Sequence, residues 1–233
     1  MGIGISGILQ ATEEQLSWLS DCYEYLREFD KDYSKVNRLP TSIKLTTVKP
    51  SGTLSLLPGV LPGIHPGYSR FMIRRIRIAS DHNLVEICRN SGYPIEYIKN
   101  FDGSLDYGTV SISFPYRYPD NAIIAKDMTA IQQLEWIKRI QTIWSDNGVS
   151  CTVYYNIEEL NTIKDYLRSN FKNNFKAVSF LLHQDHGFEQ APYEEITEEE
   201  YNELINKTRP IDRVENLGID YTIECEGGHC PVR

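Results

Sequence analysis

Segments with the pattern of β-strands alternate along this chain with segments that have the pattern of α-helices, and this order constrains the fold most. Apolar residues recur at helical spacing from Ile131 to Trp144, and β-branched and aromatic residues dominate the stretch 149–155 that follows. Alternating strands and helices favour parallel pairing, because each helix returns the chain to the same edge of the sheet. The sequence therefore predicts an α/β layered or barrel fold with largely parallel strands.

Capping residues and glycine or proline breaks set the predicted boundaries. Thr12, Asp81 and Thr197 are the predicted N-caps of three helices, with Gln15 completing a capping box at the first of them. The predicted strands are 1–7, 43–48, 71–78, 108–114, 149–155 and 177–182, and the predicted helices are 12–29, 81–90, 129–144, 157–171 and one that begins at Thr197. Periodicity is lost from about Thr208. Residues 1–207 are therefore predicted to form the folded portion, and residues 208–233 a flexible tail.

The composition argues against two classes of partner. The 233 residues carry a net charge of −8, whereas nucleic acids and anionic membranes attract basic surfaces. The chain has no apolar run near the ~20 residues that a membrane span needs, and no signal-peptide pattern. We therefore expect a cytoplasmic protein that binds neither nucleic acid nor membrane. The four arginines between Arg70 and Arg77 are interpreted as a solvated or structural face, with contact to a phosphate or another segment as the alternative.

A hydroxyl-rich loop follows one predicted strand, in the stretch TTVKPSGTLS that spans residues 46–55. The backbone amides of Ser51, Gly52 and Thr53 can point at an anion, and the nearby hydroxyls add further donors. Gly52 allows the backbone to approach a phosphate closely, and Lys49 can add positive charge. The loop lacks the Gly-Lys-Ser/Thr core of a Walker A motif. An ordinary turn between a strand and a helix is therefore the alternative interpretation.

Two cysteines, Cys225 and Cys230, lie in a short polar terminus with two glycines between them. The segment can close on itself and bring the two Cα atoms within the roughly 4.4–6.8 Å that a disulfide requires. Such a dithiol is suited to thiol–disulfide exchange with a partner. Incidental cysteines in a tail are one alternative. A zinc site is another, in which the two thiols are joined by histidines from the set His183, His186 and His229.

The remaining cysteines carry no such pattern. The total of five is odd, and an intracellular chain is not expected to contain a framework of structural disulfides. Cys22, Cys88 and Cys151 each lie inside a predicted helix or strand. They are interpreted as small buried hydrophobic residues, and no metal site is predicted from them.

Five landmarks, taken together and in order, resemble the adenosylcobalamin-dependent (class II) ribonucleotide reductases. They are GIGISG near the start, then SIKLTTVKPSGTLSLLPG, QTIWSDNGVSCTVYY and QAPYEEIT, and CEGGHCP near the end. They extend from Gly2 to Pro231, and the likeness is greatest to the monomeric ribonucleoside-triphosphate branch. No single landmark is decisive, but five in this order are highly specific.

The resemblance implies a ten-stranded α/β barrel of which this chain supplies the C-terminal portion. It also implies reduction of ribonucleoside triphosphates to deoxyribonucleotides with adenosylcobalamin as the cofactor. In that family a loop of this type binds the phosphates of the substrate, and the matching residues are Pro50, Ser51, Gly52 and Thr53. The terminal pair of the family re-reduces the active site and is itself reduced by thioredoxin, a role that falls here to Cys225 and Cys230.

The chain departs from the family in one respect. The Asn-x-Cys-x-Glu pattern that carries the radical cysteine of the family is missing, as is the cysteine pair that reduces the ribose. The chain alone is therefore expected to be an incomplete reductase, from a split gene, a truncated reading frame or processing. If the protein is split, an upstream reductase fragment is its expected partner. Two alternatives stay open: a non-catalytic remnant that binds a nucleotide or a partner fragment, and a small dithiol carrier that uses the tail alone.

Overall fold

A computed structural model describes residues 2–183 and 189–211 of the chain. Its helices and strands follow one another in the order β1 (Ile3–Gly4), α1 (Glu13–Asn37), β2 (Thr46–Thr47), β3 (Phe71–Ala79), α2 (Asn83–Asn90), β4 (Ile95–Lys99), β5 (Leu105–Arg117), α3 (Ala130–Ile143), β6 (Thr152–Tyr155), α4 (Leu160–Asn174), β7 (Ser179–Leu182), β8 (Tyr193–Glu195) and α5 (Glu198–Lys207). The chain divides into two compact units. The first comprises Met1–Phe71 and Arg117–Gly187, and the second comprises Met72–Tyr116 and Phe188–Arg233.

The first unit contains the parallel strands that the sequence predicts. Strand β1 pairs with β2 in parallel, and β6 pairs in the same way with β7. A parallel bridge between Val48 and Val149 connects the segments that follow β2 and precede β6. The carboxyl ends of these strands consequently carry the loops in which ligand-binding residues of α/β folds are usually found.

Helix α3 fills the core of the first unit. Its inward residues Leu134, Ile137 and Ile140 are almost completely buried, as is Val153 of β6, against which the helix packs. The helix begins at the N-cap Thr129, whose side chain accepts a hydrogen bond from the backbone N–H of Gln132. Local capping and apolar periodicity therefore agree with the tertiary packing, and the predicted helix 129–144 is confirmed.

The second unit contains a four-stranded sheet in the order β4-β5-β3-β8. Strand β4 pairs with β5, and β3 with β8, in antiparallel fashion, so the expectation of largely parallel pairing is wrong for this unit. The core of the unit lies between the sheet and α2, and Ile211 packs against it; its buried members are Val85, Cys88, Val110 and Ile112. Helix α2 begins after His82, whose ring accepts from the N–H of Leu84, so the predicted N-cap at Asp81 is wrong by one residue.

The arginine cluster is structural where its contacts are defined. The Arg74 guanidinium lies 4.4 Å from the centre of the Tyr193 ring, and Arg75 forms an ion pair with Glu194, so both fix β8 against β3. Arg70, in the first unit, donates to backbone carbonyl oxygens, among them that of Ala122 at 2.9 Å. Arg74 and Arg75 thus contact another segment of the chain, which is the alternative that the sequence left open, while the contacts of Arg70 fit a structural role. The Nε atoms of Arg74 and Arg75 are buried without a hydrogen-bond partner among the described residues.

The last described residues, at the end of α5 and just beyond it, pack on the loop that follows α2 within the second unit. The Arg209 N–H donates to the Ser91 carbonyl at 2.8 Å. Gly92 has a φ of +85°, and a Cβ placed there would lie 2.3 Å from the Lys207 carbonyl oxygen, so the end of α5 packs directly on this glycine. The predicted division at residues 207 and 208 stays a prediction, since residues 212–233 lie outside the described residues. Among the helices that are described, none is long and apolar enough to cross a membrane.

Candidate functional site

The predicted anion loop lies at the carboxyl end of β2, beside the residues that follow β1. Because these two strands are parallel, Ser6 after β1 and Ser51 after β2 reach the same edge of the sheet. Their hydroxyl oxygens are 2.7 Å apart. Pro50 and Thr53 are exposed, and Ser51 and Gly52 are half-buried, so the structure brings all four predicted loop residues together at an accessible surface.

A tight network with the turn that follows α3 fixes β2 in place. The Thr46 hydroxyl accepts from the Asp146 N–H at 3.0 Å and donates to the Trp144 carbonyl. The Trp144 indole N–H donates to the Thr47 carbonyl at 3.2 Å, and Asn147 donates to the Thr46 carbonyl through its backbone N–H at 3.1 Å. Thr46 and Trp144 are buried, so this network holds the strand from which the loop emerges.

The Asp146 carboxylate is the centre of a second, ionic network. It accepts from the Tyr23 hydroxyl at 2.7 Å, from the Arg27 guanidinium at 2.9 Å and from the Leu45 N–H at 2.8 Å. Burial by itself raises the pKa of Asp146, but the hydrogen bonds from Leu45, Tyr23 and Thr46 and the charge of Arg27 outweigh it and hold the pKa below its usual value. The carboxylate is therefore charged at neutral pH and joins α1 to the start of β2.

The loop itself has an unusual backbone at Ser51. The φ of Ser51 is +46°, in the left-handed region that costs a non-glycine residue roughly 1–2 kcal/mol. The Ser51 carbonyl accepts from the Ser55 N–H at 3.0 Å, which starts a short 3₁₀ turn at residues 54–56. Such strain concentrates at functional positions, where the surrounding structure enforces it.

Gly63 supports the loop from behind. Its φ is +58°, and a Cβ built on it would lie 2.3 Å from the Lys49 carbonyl oxygen and 3.5 Å from that of Pro50. Only glycine allows this approach, because real Cβ atoms do not come so close to a backbone oxygen. The position of Lys49 and Pro50 therefore depends on a residue that lies beyond the loop in sequence.

The loop also has hydrogen-bonding capacity that the protein does not use. Among the described residues, the backbone N–H groups of Ser51 and Thr53 find no acceptor, and the Ser55 hydroxyl is buried without a partner. Uncommitted amides at the end of a strand form the kind of backbone concavity that binds anions. Lys49, which precedes these residues, is exposed, and its side chain can add positive charge. The arrangement is suited to a ligand that accepts hydrogen bonds.

The predicted redox cysteines lie outside the residues that the structure describes. Cys225 and Cys230, together with His229 and His186, lie outside the described residues, so the dithiol and the zinc alternative stay predictions. His183 is described: its ring stacks on Tyr154 with the centroids 5.3 Å apart. Within the described ranges 2–183 and 189–211, no three side chains from His, Cys, Asp or Glu come together as a metal site would require.

The three other cysteines do not share one environment. Cys88 and Cys151 are buried, and burial raises the pKa of both thiols, that of Cys151 to about 12. Such thiols stay protonated and are poor nucleophiles at neutral pH. Cys22 is exposed on α1, so its interpretation as a buried hydrophobic residue is wrong. Its helix presents an aromatic stripe to solvent instead of burying it.

His65 fastens the residues beyond the loop to β6. Its Nε2 accepts from the Thr152 N–H at 3.0 Å, so its Nδ1 carries the proton and donates to the Pro62 carbonyl at 3.1 Å. Burial lowers the pKa of His65, partly opposed by the hydrogen bond to Pro62. The neutral ring is thus the form that the fold requires, and its role is structural.

Sequence reasoning found the loop but missed the residues that hold it. Ser6, Gly63 and Asp146 were not singled out, although GIGISG and QTIWSDNG contain the first and the last of them. Gly63 follows a proline seven residues after the 3₁₀ turn and has no recognisable motif around it. The contacts that make these residues important join positions far apart in the chain.

The fold corresponds to a portion of an α/β barrel of the ribonucleotide reductase type. A solved B12-dependent (class II) ribonucleotide reductase is similar with a TM-score of 0.72 and 29% sequence identity, over 86% of this chain and 28% of that one. No protein-family model matches the chain.

Curated relatives give the particular branch. A probable adenosylcobalamin-dependent ribonucleoside-triphosphate reductase of Dictyostelium discoideum is 34% identical over 245 residues, covering 100% of this chain and 32% of the relative. The adenosylcobalamin-dependent ribonucleoside-triphosphate reductase of Euglena gracilis is 34% identical over 90% of the chain and 29% of its own length, and that of Levilactobacillus brevis is 33% identical over 91% and 29%. The chain thus spans less than a third of these relatives. The resemblance to class II ribonucleotide reductases is confirmed.

Proposed function

We propose that this chain is part of an adenosylcobalamin-dependent ribonucleoside-triphosphate reductase. The observation that carries the proposal is the strained Ser51 loop, which stands with uncommitted amides at the carboxyl edge of parallel strands. Similarity to reductases of this name along nearly the whole chain supports it. The chain supplies the contacts to the substrate's phosphates and the dithiol that re-reduces the active site.

The phosphate role rests on the chemistry of the loop. Nucleoside triphosphates are anions whose oxygens accept hydrogen bonds, and the loop offers the amides of Ser51 and Thr53 and the hydroxyls around them. Because these donors are backbone amides and hydroxyls, they are suited to the phosphate part of the substrate and give no basis for choosing the nucleobase.

The redox role rests on Cys225 and Cys230. The overall reaction removes the 2′ oxygen of the ribose as water, and its two electrons come from a dithiol that becomes a disulfide. The tail dithiol returns that disulfide to the reduced state, becomes a disulfide itself, and is reduced in turn by thioredoxin or a similar dithiol donor. The two buried cysteines do not compete for this task, since burial raises the pKa of both thiols.

Adenosylcobalamin supplies the radical chemistry of the reaction when it is bound. Among the described residues we assign none to adenosylcobalamin. The proposal therefore gives this chain only the substrate and electron-transfer roles. The other roles of the reductase fall to the part of the relatives' length that this chain does not span. The cytoplasmic location predicted from the sequence stays a prediction.

Complementation tests the proposal. The chain is mixed with the upstream fragment that completes the barrel, and deoxyribonucleoside triphosphate formation is measured with adenosylcobalamin and either thioredoxin or dithiothreitol. We expect product with both reductants. A mixture without activity, in which both pieces are folded and associated, would favour the non-catalytic alternative.

Removal of the tail thiols separates the two electron routes. In the same mixture, Cys225→Ser with Cys230→Ser should abolish turnover driven by thioredoxin and spare turnover driven by dithiothreitol, because a small dithiol reaches the active site directly. Cys22→Ser is the matched control, since it removes an exposed thiol and should leave both routes intact. Equal losses with the two reductants would contradict the shuttle role.

A further inference from the structure

The Ser6 hydroxyl has more partners than it has hydrogens. Its oxygen lies 2.7 Å from the Ser51 oxygen, 3.1 Å from the Leu61 carbonyl and 2.8 Å from the Gly63 nitrogen. A serine hydroxyl has one hydrogen and two lone pairs. The carbonyl can only accept and the amide can only donate, so the direction of the bond between Ser6 and Ser51 depends on where the single Ser6 hydrogen points.

Two arrangements satisfy this count. In the first, Ser6 donates to Leu61 and accepts from Gly63 and from Ser51, which turns the Ser51 hydrogen inward and away from any ligand. In the second, Ser6 donates to Ser51, and the Ser51 hydrogen is released toward the open side of the loop. The Leu61 carbonyl is not orphaned by this change, because the Gly7 N–H also donates to it at 2.9 Å. Rotation of one hydroxyl therefore switches Ser51 from a committed donor to a free one at little cost.

We infer that Ser6 is the positioning residue of the phosphate loop, and that its hydroxyl reverses the Ser6–Ser51 hydrogen bond when an anion binds. This inference rests on the proposed function and deepens it, since it names the residue that prepares Ser51 to donate. A bound phosphate oxygen is a charged acceptor and stabilises the second arrangement, because hydrogen bonds to ions are roughly twice as strong as neutral ones. In the anion-free loop, the first arrangement keeps every partner satisfied.

Ser6 also fixes the place of the loop. It joins Ser51 to Gly63, and Gly63 is the residue against which the Lys49 carbonyl packs. The hydroxyl thus links the strained Ser51 to Gly63. Removing it frees Ser51 and leaves the Gly63 N–H without its acceptor, whereas threonine in its place keeps the hydroxyl.

A double-mutant cycle on the full chain tests the inference. The affinities for inorganic tripolyphosphate and for a ribonucleoside triphosphate are measured by calorimetry in Ser6→Ala, Ser51→Gly and the double variant. Glycine is chosen at position 51 because it accepts a positive φ without strain while it lacks the hydroxyl. We expect Ser6→Ala to weaken both affinities roughly 5- to 20-fold, because the Ser51 hydroxyl loses the partner that positions it and the Gly63 N–H loses its acceptor. In the Ser51→Gly background, Ser6→Ala should cause less than about a threefold further loss.

Conservative variants separate positioning from mere stability. Ser6→Thr should bind tripolyphosphate within about threefold of the unchanged chain. Ser6→Cys, which is close in size but a weak donor, should follow alanine and replaces it if alanine melts below the assay temperature. Thermal denaturation confirms that each variant is folded.

The outcomes separate the inference from the proposed function. If the unchanged chain binds neither tripolyphosphate nor the nucleotide, the phosphate role of the loop is wrong and the role of Ser6 falls with it. If the unchanged chain binds while Ser6→Ala has no effect, or while the two losses are independent and additive, the loop role stands and the Ser6 inference alone is overturned.

Discussion

Replacement of Gly63 by alanine should lower the free energy of unfolding by about 3 kcal/mol and abolish measurable binding of tripolyphosphate. Two effects combine. The φ of +58° costs an alanine roughly 1–2 kcal/mol. In addition, the new methyl group would lie 2.3 Å from the Lys49 carbonyl oxygen, so the backbone of residues 49 and 50 has to move. That movement displaces the start of the phosphate loop, which is why stability and binding are lost together.

Gly59→Ala is the matched control for this prediction. Gly59 has a φ of +68°, similar to that of Gly63, but nothing lies within 4 Å of a Cβ built there. Alanine at position 59 should therefore cost only the conformational term, roughly 1–2 kcal/mol, and should leave tripolyphosphate binding intact. Urea denaturation and calorimetry of the two variants supply the comparison. Equal losses at positions 59 and 63 would show that the contact with Lys49 has no role in holding the loop.

Helix boundaries set by local capping could be read from the sequence. Thr12 and Thr197 are predicted N-caps, and in both cases the threonine side chain accepts from the backbone N–H three residues on. The threonine backbone N–H donates in return to the side chain of Gln15 or Glu200. The partners are three residues apart, so their chemistry is visible in a short window. Helix α1 nevertheless continues to Asn37, beyond the predicted end at Phe29, because the sequence has no breaker there.

Strand pairing in the second unit could not be read in the same way. Strand β8 pairs with β3 across more than one hundred residues, and its three residues have no alternation of their own. Its place is set by Arg74 and Arg75, which bind Pro192, Tyr193 and Glu194. A charge cluster in a sequence does not reveal such partners. The prediction of parallel pairing consequently failed where the connections are hairpins and long returns instead of helices.

In the candidate site, too, features within one short segment could be predicted from the sequence, and contacts between distant segments could not. The anion loop was recognisable because its strand, hydroxyls and glycine are adjacent in sequence. Its geometry depends on Ser6, 45 residues before Ser51, and on Asp146, 101 residues after Leu45. Sequence alone could mark the segments that contain these residues as family landmarks, but it could not say that one holds the loop and the other holds the strand beneath it.

Asp146→Asn should lower the free energy of unfolding by about 3 kcal/mol at pH 7, because it removes a negative charge that is surrounded by hydrogen-bond donors and paired with Arg27. The carboxylate is only 13% exposed and accepts from Tyr23, Arg27 and Leu45. An asparagine has the same shape, but its amide nitrogen cannot accept, so at least one of these donors loses its partner and Arg27 loses its counter-charge. Urea denaturation of the two proteins measures the difference.

The difference should depend on pH with a definite sign. The pKa of Asp146 is lower in the folded chain than the ordinary carboxyl value of about 3.9, so its stabilising contribution is complete above that value and is lost as the pH falls through the folded pKa. The gap between the unchanged chain and Asp146→Asn should therefore be constant from pH 7 to pH 5 and should narrow below pH 4. Glu13→Gln is the control: Glu13 also pairs with an arginine, Arg139, but its side chain is 77% exposed, and the substitution should leave stability nearly unchanged. A pH-independent gap for Asp146→Asn would mean that the amide disturbs packing and that the charge itself contributes nothing.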